Sequence, residues 1–381
     1  MCYAREIVEE LNQNHQIAVF GAGVVALGVV AGLREKPYQL NIECCLVSDL
    51  RENPDSIAGV PVMNLSEAKQ RLSRDAVIIV TVVREKFESV RKLLNQSGYF
   101  HIIQITYEGD LWSLLRGNIY RESCLQQKKP YLMIEEELQV APIFKGESEE
   151  TSEKTMAVYT AKCHVDRNLK EDISRFSWEI PIQVGAALTD RNICEIRDNT
   201  GDHISEKNRQ YCELTALYWI WKNDDSDYVG LGHYRRHFEL TEEQLRQLAV
   251  SDIDVVLTIP IFDYPDVEAV YRRDHVGRDW DVMIEAVKKL SPEYLETLEE
   301  MQRGQFYYAY NMFIMRREVL ENYCAWLFPI LFDCEKHCGG ERSAYQNRYI
   351  GFLAEHLMSL YFMHHEKEYK IVHARKHFIE E

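Results

Sequence analysis

A chain of 381 residues is longer than one ordinary core requires, so two domains are expected. Hydrophobic content of 46% with 28% charged residues is that of a globular protein, and no apolar run approaches the roughly 20 residues of a membrane-spanning helix. The net charge of -17 argues against nucleic acid as a partner, although it leaves room for a local basic pocket.

Met1–Glu10 lacks the apolar centre of a signal peptide, so a cytoplasmic location is expected, with peripheral association at the inner face of a membrane left open. The ten cysteines are scattered, and Cys44 and Cys45 are adjacent in an apolar strand, as suits reduced core thiols. In chain order, a helix over 4–12 is followed by a short apolar strand over 16–20. Gly21, Gly23 and Ala26 then form the glycine turn that passes from a strand into a helix over 27–33. Such a turn lets backbone amides and a helix N-terminus approach a phosphate. The strand over 42–47 ends on Ser48 and Asp49, where the carboxylate can hold a ribose hydroxyl. A strand over 76–81, an amphipathic helix over 85–96 and a strand over 101–105 complete two βαβ units, which predict a parallel, doubly wound Rossmann-like sheet. A helix over 111–121 follows. The order breaks at Gln126–Pro130, and Gly146–Lys154 is a charged joint with no apolar anchor. The expected organisation is a nucleotide-binding domain over 1–125, a linker over 126–154 and a second α/β domain over 155–381.

The second domain restarts with a strand over 155–161. Its most informative stretch is a helix running from about 206 to 223 into a strand at Asp227, which ends on His233, Tyr234, Arg235 and Arg236. Open α/β sheets place ligands at the carboxyl ends of their strands, and paired guanidinium groups there are shaped to grip a diphosphate. Pairing of the same arginines with carboxylates is the competing reading. A strand over 255–259, a helix over 280–290, a strand that starts at Tyr308 and passes into a helix within 308–320, and a long helix over 346–362 follow. His275 and Asp279 either reach substrate hydroxyls or begin a solvated helix. Cys334, His337 and Cys338 lie at helical spacing and lack a second clean pair for zinc. Tyr218 and Lys222 have the spacing of a dehydrogenase pair, but the interleaved tryptophans read as helix packing.

Gly21, Gly23, the Ser48–Asp49 strand end, the Gly59–Val62 turn and the Asp75–Ile79 strand together resemble the small nucleotide-sugar-binding domain at the N-terminus of bacterial sugar acyltransferases. The likeness covers most of residues 15–106. In the second domain, Ile182–Ala187, Thr200–Asn208, Tyr211–Trp219, Gly232–Arg236, Asn311–Met315 and Gly351–Glu355 resemble a family of capsular and exopolysaccharide glycosyltransferases known only as a domain of unknown function. The order of elements also resembles the GT-A glycosyltransferase architecture. The acidic metal motif of that architecture is missing, and His233–Arg236 stands in its place.

These resemblances imply a hexosyltransferase using a UDP-sugar, with a galactose donor in pyranose or furanose form. The acceptor they imply is a saccharide, a growing surface polysaccharide or its lipid-linked form. Arg235 and Arg236 would bind the diphosphate with His233 and Tyr234 adding hydrogen bonds, Asp202, Ser205 and Asn208 would hold the donor, and Glu355 would be the general base. No resident metal is required on this reading, although His233 with Asp227 or Asp202 offers a route to Mn²⁺ or Mg²⁺. The rival readings are an NAD-dependent nucleotide-sugar epimerase or dehydrogenase, suggested by the glycine turn, and a noncatalytic nucleotide-sugar-binding scaffold.

Overall fold

The computed structural model describes residues 2–13, 16–51, 53–140, 154–171 and 174–379. Contacts divide the chain into two compact units, Met1–Pro130 and Tyr131–Glu381. The architecture is mixed α/β in both, as the sequence predicts.

In the first unit, β1 (Ile17–Phe20), β2 (Ile42–Val47), β3 (Ser56–Ile57), β4 (Val60–Asn64), β5 (Val77–Val80) and β6 (Ile102–Gln104) form one sheet. Their order is β3-β4-β2-β1-β5-β6, and every neighbouring pair is parallel except the β3–β4 ribbon. β1 and β5 are buried at all four positions, because strands covered on both faces need unbroken apolar runs. The chain winds outward from β1 to β4 and then returns to β5 on the other side. That reversal opens a crevice at the carboxyl ends of the strands.

The predicted helix near 111–121 runs further, as Asp110–Gln126. The expected linker over 126–154 needs a corresponding correction, because Tyr131–Val140 belongs to the second unit. Ile134 and Leu138 sit one turn apart on the helix Ile134–Val140 and are buried with Val256 and Val372, and Arg375 pairs with Glu135 at 2.8 Å. Two apolar residues at i and i+4 suffice to dock an otherwise acidic segment. Of the expected joint Gly146–Lys154, residues 146–153 lie outside the described residues.

The second unit contains β7 (Met156–Lys162), β8 (Ile180–Gln183), β9 (Ile196–Arg197), β10 (Tyr228–His233), β11 (Arg236–Phe238), β12 (Val255–Thr258), β13 (Ile261–Phe262), β14 (Phe306–Tyr307), β15 (Phe313–Arg316), β16 (Ile371–Ala374) and β17 (Lys376–Phe378). The main sheet runs β16-β12-β15-β10-β7-β8-β9, and β11 joins β10 to β17 beside it. β15 is antiparallel to both of its neighbours, and the other adjacent pairs of the main path are parallel. One core contains buried residues of the helices Leu214–Asn223, Arg317–His337 and Tyr349–His364. Another gathers Leu245 and Leu248 of the helix Glu242–Val250 with Ile134 and Leu138.

β10 lies between β7 and β15, and Gly230 at its middle faces a space already filled. A Cβ there would come within 2.9 Å of Ile314 Cγ1 and Val158 Cγ1 and 3.0 Å of the Phe313 carbonyl oxygen. Gly230→Ala should therefore destabilise the second unit by about 1–3 kcal/mol and Gly230→Val by more, since a packed interior has no room for added carbons. Urea unfolding followed by tryptophan fluorescence measures this, and wild-type stability in Gly230→Val would contradict it.

Candidate active site

β10 does not end where the sequence suggests. It turns back through Tyr234–Arg235, and His233 pairs with Arg236 as the first residue of β11. The two arginines thus occupy a tight hairpin, one on the turn and one on the returning strand. The turn is pinned through its backbone: the Tyr234 amide donates to the Ala161 carbonyl at 3.1 Å, and the Ile379 amide donates to the Arg235 carbonyl at 2.9 Å. Below it, buried His237 meets Glu179 Oε2 through Nδ1 at 2.7 Å and the Tyr234 carbonyl through Nε2 at 3.2 Å. Phe176 stacks on the same imidazole, with ring centres 4.3 Å apart.

Opposite the hairpin, the chain entering β15 makes a left-handed corner at Tyr310 (φ 73°) and Asn311 (φ 49°). The Tyr310 carbonyl accepts from His233 Nε2, and its backbone amide donates to the Glu355 carboxylate. Asn311 Nδ2 donates to Glu213 Oε1 at 2.7 Å and to the Gly351 carbonyl at 3.3 Å. Glu213 follows Cys212, another left-handed residue (φ 52°), and Arg348 Nε reaches Cys212 Sγ at 3.2 Å. Three of the six non-glycine residues with positive φ among the described residues therefore meet at one place. Such conformations are unfavourable for side-chain-bearing residues and persist where the surroundings over-determine them, as at functional sites.

Burial dominates the electrostatics. It pushes the Glu355 carboxyl up to about 8, with the nearby charge of Glu213 adding to the rise, while the Tyr310 amide, Arg236 and Arg348 pull the other way. The same loss of solvent lowers the His233 imidazole, with Glu213 opposing and Arg236 reinforcing the shift. A carboxyl poised near neutrality can hold or release a proton in the range where a general base works. His233, Arg236 and Glu355, all singled out in the sequence, are brought together. Glu213, Arg348 and the Tyr310–Asn311 corner were not. Their available signal was a charged or polar residue inside an otherwise apolar segment, Glu213 within Tyr211–Ile220 most clearly.

The other expected donor residues are placed differently. Ser205 is fully buried and bonds to Asp198, and its oxygen accepts from the Ala187 amide while Asp198 accepts from those of Gly185 and Ala186. Asn208 donates to the Cys212 carbonyl at 2.7 Å and to Thr215 Oγ1 at 3.1 Å. Both side chains brace loops beside the site. Asp202 accepts from the Tyr218 hydroxyl at 3.3 Å and lies by Asn223, at the far end of a ten-residue helix whose start follows Glu213. That helix is about 15 Å long. Asp279 is buried in an ion pair with Arg342, which engages it through both terminal nitrogens, so its carboxylate is committed to that pair. His275 stacks on Phe352 at 4.1 Å, one turn before Glu355 on the same helix.

The suggested metal ligands are separated. Asp227 precedes β10 at the end opposite His233 and accepts from the Thr155 amide and hydroxyl. Among the described residues no group of three or more His, Cys, Asp or Glu side chains is arranged for a metal ion. Cys334 and Cys338 are buried thiols raised by burial, Cys338 to about 12. Tyr218 packs edge-on against Trp221 and Phe328, and Lys222 lies over the Trp221 ring, as the helix-packing reading requires.

The first unit holds its own cleft, about 590 Å³, lined by Gly21, Ala22, Ser48, Asp49, Arg51 and Lys86 among others. Gly21 has φ +134°, and a Cβ there would strike Thr81 Oγ1 at 2.2 Å. Gly23 is the extended residue before the helix Val24–Arg34, and a Cβ at that position meets nothing within 4 Å. Ala26 is buried beneath the helix start. Asp49 is exposed, and a hydrogen-bonded pair with Arg51 lowers its carboxyl.

A family model described as "Domain of unknown function (DUF4422)" matches residues 160–367, which include the hairpin, the left-handed corner and Glu355. Among solved structures, the chain is similar to one titled "WbbM bifunctional glycosytransferase apo structure", with 30% identity and a TM-score of 0.54. That match covers 60% of this chain and 46% of the other, so the chain spans less than half the length of that protein. No curated protein matches the chain. More than half of the sequence falls within the matched family model, and the chain therefore belongs to the DUF4422 family.

Proposed function

We propose that the chain is a hexosyltransferase that moves a sugar from a UDP-sugar to a saccharide acceptor, a growing surface polysaccharide or its lipid-linked precursor. The observation that carries this reading is the pairing of a near-neutral carboxyl, Glu355, with a two-arginine hairpin through the His233–Tyr310 contact. Likeness to a solved bifunctional glycosyltransferase supports the class of reaction. A galactosyl donor is the first to test.

In this mechanism Glu355 takes the proton of the acceptor hydroxyl as its oxygen attacks the anomeric carbon. The bond from that carbon to the β-phosphate oxygen breaks, and its electron pair leaves with UDP. Arg235 and Arg236 stabilise the developing phosphate charge through bonds that strengthen in the transition state. His233, held by the Tyr310 carbonyl, fixes one side of the hairpin against the carboxylate that Tyr310 orients. No described helix is long and apolar enough to cross a membrane, so a lipid-linked acceptor would be met at the membrane surface. The first unit is proposed to bind a nucleotide or nucleotide sugar in its glycine-turn cleft, away from the transfer chemistry.

Replacing Arg235 and Arg236 together by Ala should reduce kcat by at least about 100-fold, the scale of losing one preorganised oxyanion donor, and weaken UDP binding. Retained turnover and UDP affinity in a folded double variant would reject the diphosphate assignment. Activity should survive EDTA, and a loss restored by Mn²⁺ would put a metal on the phosphates.

Glu355→Gln should lose turnover with little change in donor affinity. Because the base must be ionised, wild-type kcat/KM should rise with pH through an apparent pKa of about 8. For stability the sign is opposite: a carboxyl raised on folding contributes most below its unfolded value near 4.5 and loses that contribution as pH rises through about 8. The melting temperature of Glu355→Gln should therefore gain on wild type between pH 5 and pH 9. A parallel pair of melting curves would remove the raised carboxyl from the account.

Gly23→Val should weaken nucleotide binding in the first unit and spare its fold, since a Cβ at Gly23, next to the cleft-lining Gly21 and Ala22, meets nothing within 4 Å. Thermal shift with UDP-sugars reads both, and a loss of transfer in the same variant would show that the first unit takes part in the reaction.

A further inference from the structure

Two consecutive residues of the left-handed corner hold two carboxyl groups that come from different parts of the chain. The Tyr310 amide donates to Glu355, and the neighbouring Asn311 side chain donates to Glu213 Oε1 at 2.7 Å. Asn311 is 1% exposed and Glu213 7%, so that contact is closed to water. A second acceptor fixes the orientation of the Asn311 amide. Its Nδ2 also donates to the Gly351 carbonyl at 3.3 Å, and a carbonyl can only accept. The group that faces Glu213 is therefore the NH2, and Glu213 Oε1 is an oxygen without a proton. This orientation leaves Asn311 Oδ1 buried with no hydrogen-bond partner among the described residues, which the fold tolerates while presenting the donor to Glu213.

Glu213 directly follows left-handed Cys212 and begins the helix Leu214–Asn223, whereas Glu355 lies on the helix whose first turn supplies the Gly351 carbonyl. The same charged groups surround both. Glu355 is faced by Glu213, the Tyr310 amide, Arg236 of β11 and Arg348, and His233 of β10 and the Cys212 thiol complete the cluster. The two arginines and the amide favour ionisation of Glu355, and Glu213 opposes it. Two carboxyl groups at one desolvated site do not both ionise readily, so one carries a proton over a wide pH range and the two titrate as a unit. Asn311 decides between them, because it holds Glu213 as the acceptor.

We propose that Glu213 is the positioning residue of the site's base: anchored as an anion on Asn311, it forms a carboxyl pair with Glu355 in which Glu355 carries the pair's proton. This rests on the reading of Glu355 as general base and adds what makes it a strong one. When the acceptor O–H bond breaks, the proton moves to the Glu355 carboxylate, and the pair passes from two negative charges to one. Relief of that repulsion favours the transfer.

The test needs no ligand. Melting temperatures of full-length wild type, Glu213→Gln, Glu355→Gln and the double variant are followed from pH 5 to pH 9. Glutamine at 213 keeps the oxygen that Asn311 binds and removes the charge. The gain of Glu355→Gln over wild type should level off above about pH 8, where the folded chain has Glu355 ionised. The gain of the double variant over Glu213→Gln should be smaller and level off about one pH unit lower, because Glu355 then ionises without a like charge beside it. Glu213→Asp retains the charge and should restore the wild-type course. Levelling at the same pH in both backgrounds overturns the pair and leaves the transferase reading standing. A Glu213→Gln chain that does not fold does the same, since Glu213 is then an anion that the fold itself requires. Parallel curves for wild type and Glu355→Gln overturn both the pair and the general-base assignment.

Discussion

The Tyr310 backbone organises the second unit's site. Its carbonyl holds the His233 ring at the base of the arginine hairpin, and its amide holds the Glu355 carboxylate on the last long helix. Two elements remote in sequence are thereby tied to one rigid corner. That corner is possible because Tyr310 and Asn311 adopt left-handed backbone conformations, each unfavourable by about 1–3 kcal/mol. The cost is offset by the Asn311 amide, which bonds Glu213 and the first turn of the Glu355 helix.

Strand alternation then divides the labour at the hairpin. One face presents Arg236 toward Tyr310, and the other buries His237 between Phe176, Glu179 and the Tyr234 carbonyl. A one-residue slip in the β10–β11 register would exchange those faces and destroy both functions at once. The backbone bonds from Tyr234 to β7 and from Ile379 to Arg235 guard against it.

Burial acts on the site's ionisable groups in opposite senses. It raises Glu355 and lowers His233, since the charged form of each loses solvation. Both groups are thereby drawn toward neutrality near physiological pH, while the arginines remain charged.

The sequence by itself determined the α/β class, the glycine turn between β1 and its helix, the fully apolar strands, and the arginine, carboxylate and histidine side chains that meet in the second unit. Each is local: apolar runs dictate burial, glycines permit a conformation others resist, and chemically distinctive side chains stand out in apolar surroundings. Tertiary structure decided the rest. It showed that Asp279 answers Arg342, that Ser205 and Asn208 brace loops, and that Asp227 lies at the wrong end of β10. It docked Tyr131–Val140 on the second unit through two apolar side chains amid acidic residues. It also brought Glu213 and Arg348 to the site from separate segments. The physical reason is that a side chain's partner is set by strand register and helix packing over tens to hundreds of residues, and local spacing carries no record of those distances.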